Sequence, residues 1–65
     1  MTIAETMKAA QNKRAHVVLK DGTELKAMIA GFMDEVKTGM GECAIRIGEA
    51  WGILEHEIKS IQILS

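Results

Sequence analysis

The chain has 65 residues, 48% of them hydrophobic and 26% charged, so it can build one small core and is too short for two domains. Eight Lys and Arg against nine Asp and Glu give a net charge of −1, which excludes a globally basic nucleic-acid-binding domain. One Cys and two His exclude an intrachain disulfide and a four-ligand zinc site. Since a domain of about 60 residues buries only about 60% of the surface of its unfolded chain, oligomerisation is the stabilising aid that remains.

The charges are unevenly distributed along the chain. Residues 1–26 hold five basic and three acidic groups, whereas residues 27–65 hold three basic and six acidic groups. Any site for a polyanion must therefore be local. The sequence has no apolar run of about 18 residues and no secretory leader, so we expect a cytoplasmic protein that does not enter membranes, with Cys43 reduced and no cofactor.

The first segment carries a helix-start signal. Thr2 and Glu5 have the spacing of a capping box, which predicts a helix over residues 3–13. Its apolar residues fall at i, i+4 and i+7 and form a narrow stripe: Ile3, Met7 and Ala10. Three basic residues lie in or directly after this helix: Lys8, Lys13 and Arg14. They form a basic rim if several copies of the chain face the same way, and otherwise an ordinary solvated surface.

From residue 15 the hydrophobic period changes to two, which predicts a hairpin with strands 15–20 and 23–32. A two-residue loop would place Val18 opposite Leu25 and mix apolar with charged groups on each face. A three-residue loop, with Gly22 in the left-handed bulge position, is therefore predicted. It places the apolar residues of both strands on one face: Val17, Leu19, Leu25, Ala27 and Ile29.

The rest of the chain alternates between glycine-containing and apolar segments. Gly31 allows the second strand to bend sharply, and residues 33–42 lose the alternation and predict a loop. Three more strands are predicted: 43–47, 50–54 and 58–64. The predicted fold is mostly β, one domain over residues 1–65, with an N-terminal helix followed by a small, strongly bent five-stranded barrel of the SH3-like or OB-like kind.

Two segments resemble motifs of the Sm-like family of ring-forming RNA-binding proteins, which includes the bacterial RNA chaperone Hfq. The run from Val17 to Phe32, with Asp21-Gly22 between its apolar halves, is similar to the first motif of the family. The run from Leu54 to Ile61 is similar to the bacterial form of the second motif, Lys-His-Ala-Ile-Ser. The resemblance covers nearly the whole chain and implies an Sm-like barrel.

The resemblance also implies partners and sites. Sm-like rings form when the fourth strand of one subunit pairs with the fifth strand of the next, so we expect a homo-oligomeric ring of five to seven copies. The expected interface residues are Trp51, Ile53, Ile61 and Ile63. The residues expected to bind single-stranded RNA come from the loop, the second motif and the basic rim: Met33, Asp34, Lys37, His56, Lys59, Lys13 and Arg14. The chain departs from the family pattern at Ala27, Met33, Lys37 and Glu55, where the family has Gly, Asp, Asn and Lys.

Catalytic chemistry has little support in the sequence, and no enzyme is expected. Cys43 lies within an apolar strand pattern, which favours a structural role. Residues 55–57 (Glu-His-Glu) are interpreted as a solvated strand end rather than a metal site. Phe32 and Trp51 are interpreted as core or interface residues rather than as stacking platforms for bases. For His56, an RNA contact and a turn residue that donates to the backbone both remain open.

Three functions are compatible with these observations. The first is an Sm-like ring that binds single-stranded RNA, acting as an RNA chaperone or regulator. The second is a structural ring or protein-interaction module without RNA, for which the acidic second half of the chain argues. The third is a monomeric SH3-like barrel that binds a peptide in a groove with Trp51 and His56.

Overall fold

A computed structural model of the protein describes residues 2–48 and 50–64, and of Ala50 and Trp51 it describes the backbone alone. The elements in chain order are α1 (Ile3–Ala9), β1 (Arg14–Leu19), β2 (Glu24–Met33), α2 (Glu35–Thr38), β3 (Ala44–Ile47), β4 (Ala50–Leu54), a 3₁₀ turn (Glu55–Glu57) and β5 (Ile58–Ile63). The fold is mostly β, with one antiparallel five-stranded sheet and a short N-terminal helix.

Helix α1 begins at the predicted capping box. The Thr2 hydroxyl accepts from the Glu5 backbone N–H at 3.1 Å, and the Glu5 carboxylate accepts from the Thr2 N–H at 3.0 Å. These bonds satisfy two amides that a helix start leaves without partners. The predicted apolar stripe faces the core, since Met7 and Ala10 are fully buried and Ile3 packs against the same cluster.

The helix ends four residues before the predicted position. Asn12 adopts a left-handed φ of 65°, and its N–H donates to the Ile29 carbonyl of β2 at 2.7 Å. The Ile29 N–H in turn donates to the Lys13 carbonyl at 2.9 Å. The helix ends before Asn12 and Lys13 because the backbone of these two residues bonds to β2, and the prediction of a helix to residue 13 was wrong.

The β1–β2 hairpin has the predicted three-residue loop. Val17 lies opposite Leu25, and the Leu19 N–H donates to the Thr23 carbonyl at 2.8 Å, which leaves residues 20–22 as the loop. Gly22 has a φ of 96°, a conformation that side chains with a Cβ rarely adopt. The register places alternate apolar residues of both strands on the core side, as the choice of a three-residue loop predicted.

Strand β2 bends and serves both halves of the sheet. Its first half pairs with β1 and its second half with β3, and the register shifts between Ile29 and Gly31. The strand order is β4-β3-β2-β1-β5, so β4 and β5 follow each other in the chain yet form opposite edges.

A short connection forces this sheet to curl. Leu54 and Ile58 end β4 and begin β5, and four residues span at most about 14 Å. In a flat sheet the two outer strands would lie about 19 Å apart, four strand spacings away. The sheet is not closed, because no ladder joins β4 to β5 among the described residues. The mostly-β prediction is confirmed in this form, as a curled open sheet.

The segment predicted as a loop, 33–42, contains α2, a helix of one turn. The Asp34 carboxylate accepts from the Lys37 N–H at 2.9 Å and caps this turn, and Gly39 ends it with a φ of 70°. Residues 55–57 form a 3₁₀ turn rather than a strand end. Within residues 2–48 and 50–64 no helix has the length and apolarity to cross a membrane.

Candidate nucleic-acid interface

The 3₁₀ turn between β4 and β5 is bonded to two neighbouring segments. The Glu55 N–H donates to the Cys43 carbonyl before β3, and the Lys20 N–H of the hairpin loop donates to the Glu57 carbonyl, each at 2.9 Å. Within the turn, the Glu57 carboxylate accepts from the Leu54 N–H at 3.1 Å. The turn is therefore held in place at the point where the two outer strands of the sheet converge.

His56 lies in this turn and bonds to the carboxylate of Glu42. Oε1 of Glu42 accepts from the backbone N–H of His56 at 2.8 Å and lies 2.8 Å from its Nδ1, and Oε2 lies 2.8 Å from the same Nδ1. The Glu42 side chain is 24% exposed and the His56 side chain 65% exposed. The bond from the His56 backbone, then that from its ring and a smaller contribution from Lys20, hold the pKa of Glu42 below its ordinary value of 4.5.

This contact sets the hydrogen-bonding roles of the imidazole. Both atoms beside Nδ1 are acceptor oxygens, so Nδ1 carries the proton of the neutral ring. Nε2 is then an acceptor, and it has no partner among the described residues. The exposed side of His56 therefore offers one acceptor to a ligand with an N–H group.

His56 and Lys59 line one groove of about 530 Å³ together with Lys20. Glu42 and Glu55 line the same groove, so two lysines face two carboxylates there. One of those carboxylates, that of Glu42, is already bonded to His56. The groove thus combines two flexible cations and one imidazole acceptor with the carboxylates of Glu42 and Glu55.

Asp34 and Lys37 lie in a different groove, between α1 and α2, with Phe32 in its wall. Asp34 serves there as the cap of α2, which is a structural role. Phe32 is partly buried and packs against the core cluster. Asp34 and Lys37, expected to bind RNA together with His56 and Lys59, therefore lie in a different groove from them, whereas Glu42 at the end of the loop lies in the His56 groove.

Met33 lines a third groove of about 400 Å³, which is mostly apolar and lies beside β4. Its other walls include Met40, Gly52 and Leu54. The space beside Gly52 is open, because no atom of the described residues other than its chain neighbours lies within 4 Å of the position that a Cβ would occupy. Gly52, Ile53 and Leu54 thus place part of β4 in the wall of the apolar groove.

Lys13 and Arg14 are exposed at the start of β1, and among the described residues they line none of these three grooves. Of the predicted interface residues, Ile53 is buried in the core, whereas Ile61 and Ile63 are partly buried against it. Trp51 lies on β4, and its side chain is outside the described part of the chain.

The outer edges of β4 and β5 have no strand partner among the described residues. The edge of β5 carries alternating exposed and partly buried side chains, and Leu64 directly after it is 45% exposed. Strand edges with unpaired N–H and C=O groups are templates for pairing with another chain.

Two residues of the His56 groove, Glu42 and Lys20, were not predicted from sequence. Glu42 lies 14 positions before His56, and Lys20 belongs to the hairpin loop. No local pattern indicates that either approaches His56, because the approach depends on the pairing of β1 with β5 and of β3 with β4.

Cys43 is buried, and its burial, followed by the charge of Glu55, raises the pKa of its thiol. The thiol is therefore neutral at pH 7 and a poor nucleophile. No group of three His, Cys, Asp or Glu side chains suited to a metal ion occurs in residues 2–48 and 50–64.

No family model, no curated protein and no solved structure matches this chain. The similarity to the Sm-like family stays a prediction that rests on the motif residues of the sequence.

Proposed function

We propose that the protein is a ring-forming Sm-like protein that binds single-stranded RNA, with the groove at His56 as the contact in each subunit. The observation that carries this proposal is the convergence of two strand edges, both unpaired among the described residues, on the turn that holds His56. A ring would repeat the groove of each subunit around its centre.

The positions of the two edges support the proposed ring. In a head-to-tail contact, the outer edge of β5 in one copy pairs with the outer edge of β4 in the next, and such a contact closes when the rotation per subunit permits. The apolar groove beside β4 provides a surface for side chains of the neighbouring copy. Pairing would extend the curled sheet of each subunit into a continuous barrel wall.

RNA as the ligand is supported by the chemistry of the His56 groove. Lys20 and Lys59 are suited to backbone phosphates, and Nε2 of His56 accepts from a base N–H. One groove of this kind is weak, since the chain carries a net charge of −1. Five to seven grooves on one ring bind the same strand with a high effective concentration, which compensates for the weakness of each.

Two measurements test this function. Light scattering should give a mass of five to seven subunits, and a monomer would contradict the ring. Titration with uridine-rich and adenine-rich oligonucleotides at several salt concentrations should show binding that weakens as salt rises. Absence of binding at low salt would contradict RNA as the ligand.

Matched lysine variants locate the contact. We expect K59Q, or K20Q, to weaken RNA binding several-fold and to reduce its salt dependence by about one counterion per site. Lys26 is exposed on β2 and lines none of the three grooves, so K26Q makes the same charge change elsewhere and should leave affinity nearly unchanged. Equal losses in all three variants would show that only net charge matters.

A structural ring without RNA is the second candidate, and the carboxylates of Glu42 and Glu55 in the His56 groove favour it. This function predicts the same mass in solution but no co-purifying nucleic acid. The ratio of absorbance at 260 and 280 nm of the purified ring distinguishes the two candidates.

A further inference from the structure

The carboxylate of Glu42 occupies the hydrogen-bond donors of His56, the residue at the centre of the proposed RNA site. Both carboxylate oxygens lie 2.8 Å from Nδ1, and Oε1 also accepts from the backbone N–H at 2.8 Å. A phosphodiester oxygen is an anionic acceptor of the same kind. A backbone phosphate of RNA and the Glu42 carboxylate therefore compete for the same two N–H groups.

Glu42 can release His56 without a change in the loop that carries it. The Thr38 hydroxyl donates to the Glu42 carbonyl at 2.8 Å, so the main chain at Glu42 is held separately from its side chain. Rotation about the side-chain bonds of Glu42 is sufficient to move the carboxylate away. Lys20 and Lys59 line the same groove and stay in position to neutralise an incoming phosphate.

We infer that Glu42 is an autoinhibitory contact, a built-in carboxylate that must leave His56 before a phosphate of RNA binds the two N–H groups of that residue. The inference rests on the proposed function and concerns the regulation of that same site. Its consequence is that the wild-type ring binds RNA more weakly than a ring in which the two N–H groups of His56 are unoccupied.

Two substitutions separate this competition from a simple effect of charge. E42D keeps the negative charge but is one methylene shorter, so its carboxylate does not reach Nδ1 in the present geometry. E42A removes both charge and contact. The control E55A removes one charge from the same groove. It breaks no bond to His56, because no hydrogen bond joins the Glu55 side chain to His56 among the described residues.

The first measurement is the Kd of a fluorescent uridine-rich oligonucleotide at fixed low salt, by anisotropy. We expect E42A to bind about threefold more tightly than wild type, and E42D to bind more tightly than wild type at unchanged charge. If E42A and E55A bind equally more tightly and E42D binds like wild type, only the charge of the groove determines affinity and the inference is overturned. Weaker binding in E42A and E42D would show instead that Glu42 positions His56 for RNA.

The second measurement uses inorganic phosphate alone and is independent of the RNA proposal. In E42A, phosphate should shift the NMR resonances of the His56 backbone N–H and ring, whereas in wild type these shifts should be smaller at the same concentration. If E42A shows no shift, the inference is overturned whether or not wild type binds RNA. If phosphate shifts His56 in E42A while no variant binds RNA, the RNA function fails and the competition for anions stands.

Discussion

The half of the chain built from α1, β1 and β5 and the half that contains α2, β3, β4 and the 3₁₀ turn share one core and differ in the polar contacts that join their segments. In the first half, residues such as Met7, Val17 and Ile58 are fully or almost fully buried. In the second half, Ile45 and Ile53 are buried as well, and the Glu42 side chain bonds to His56, 14 residues later in the chain. Both halves therefore supply the core, and the second half adds the bonded pair Glu42 and His56 to a groove that it shares with Lys20 and Lys59 of the first.

The largest effect is expected in the shared core, at Met7, which is 0% exposed. M7A should lower the free energy of unfolding by about 2–4 kcal/mol, because it removes a large apolar side chain and leaves a cavity. M40A makes the same change at a side chain of the second half that is 59% exposed, and should cost less than about 1 kcal/mol. Urea denaturation at one fixed protein concentration measures both, and equal losses would contradict the burial of Met7 in the core and the exposure of Met40.

A smaller effect is expected at the hairpin loop that joins β1 to β2. G22A should destabilise the protein by about 1 kcal/mol, because a Cβ is disfavoured at the φ of 96° that the loop requires. G52A is the matched control, since the space around Gly52 is open and its backbone has no left-handed φ. Thermal unfolding of the two variants should separate them, and a larger loss in G52A would indicate that β4 packs more tightly than described.

The smallest effect is expected at acid pH, and it tests the contact between Glu42 and His56 in the second half. The pKa of Glu42 lies below its ordinary value of 4.5 in the folded chain, so Glu42 contributes stability above that value and loses it as pH falls toward the folded pKa. Glu5 and Asp21 behave in the same way because backbone and hydroxyl groups of Thr2 and Thr23 donate to them.

We therefore expect the urea midpoint of wild type to fall as pH decreases below about 4.5. E42Q should show a shallower decrease over the same pH range, since an amide in place of the carboxylate does not titrate. A pH dependence identical in wild type and E42Q would mean that Glu42 contributes nothing to acid sensitivity.

The predictable part of the fold is the part in which the determining residues are close in sequence. Two such features appear in the structure: the capping box of Thr2 and Glu5, and the three-residue hairpin loop that ends at Gly22. Both depend on residues only a few positions apart. The end of α1 was missed because Asn12 bonds to Ile29, a partner in another strand. The α2 turn was missed although Asp34 and Gly39 have the types of residue that cap a short helix.

The candidate site was less predictable than the fold for the same reason. His56 was identified from the motif resemblance, but its bond to Glu42 depends on how β3 and β4 bring distant segments together. Lys37 and Lys59 were both expected to bind RNA, and they lie in separate grooves. Residue types identified these candidates, and their grouping required the three-dimensional arrangement of the sheet.

The pairing of β1 with β5 has a consequence for how the chain folds during synthesis. Ala15 pairs with Ile63, 48 residues later, so the strand that completes the sheet leaves the ribosome long after its partner. Contacts between such distant residues form slowly, because the intervening chain must lose conformational freedom before they close. Until then one edge of β1 has no partner, and the nascent chain is most open to pairing with another copy during that interval.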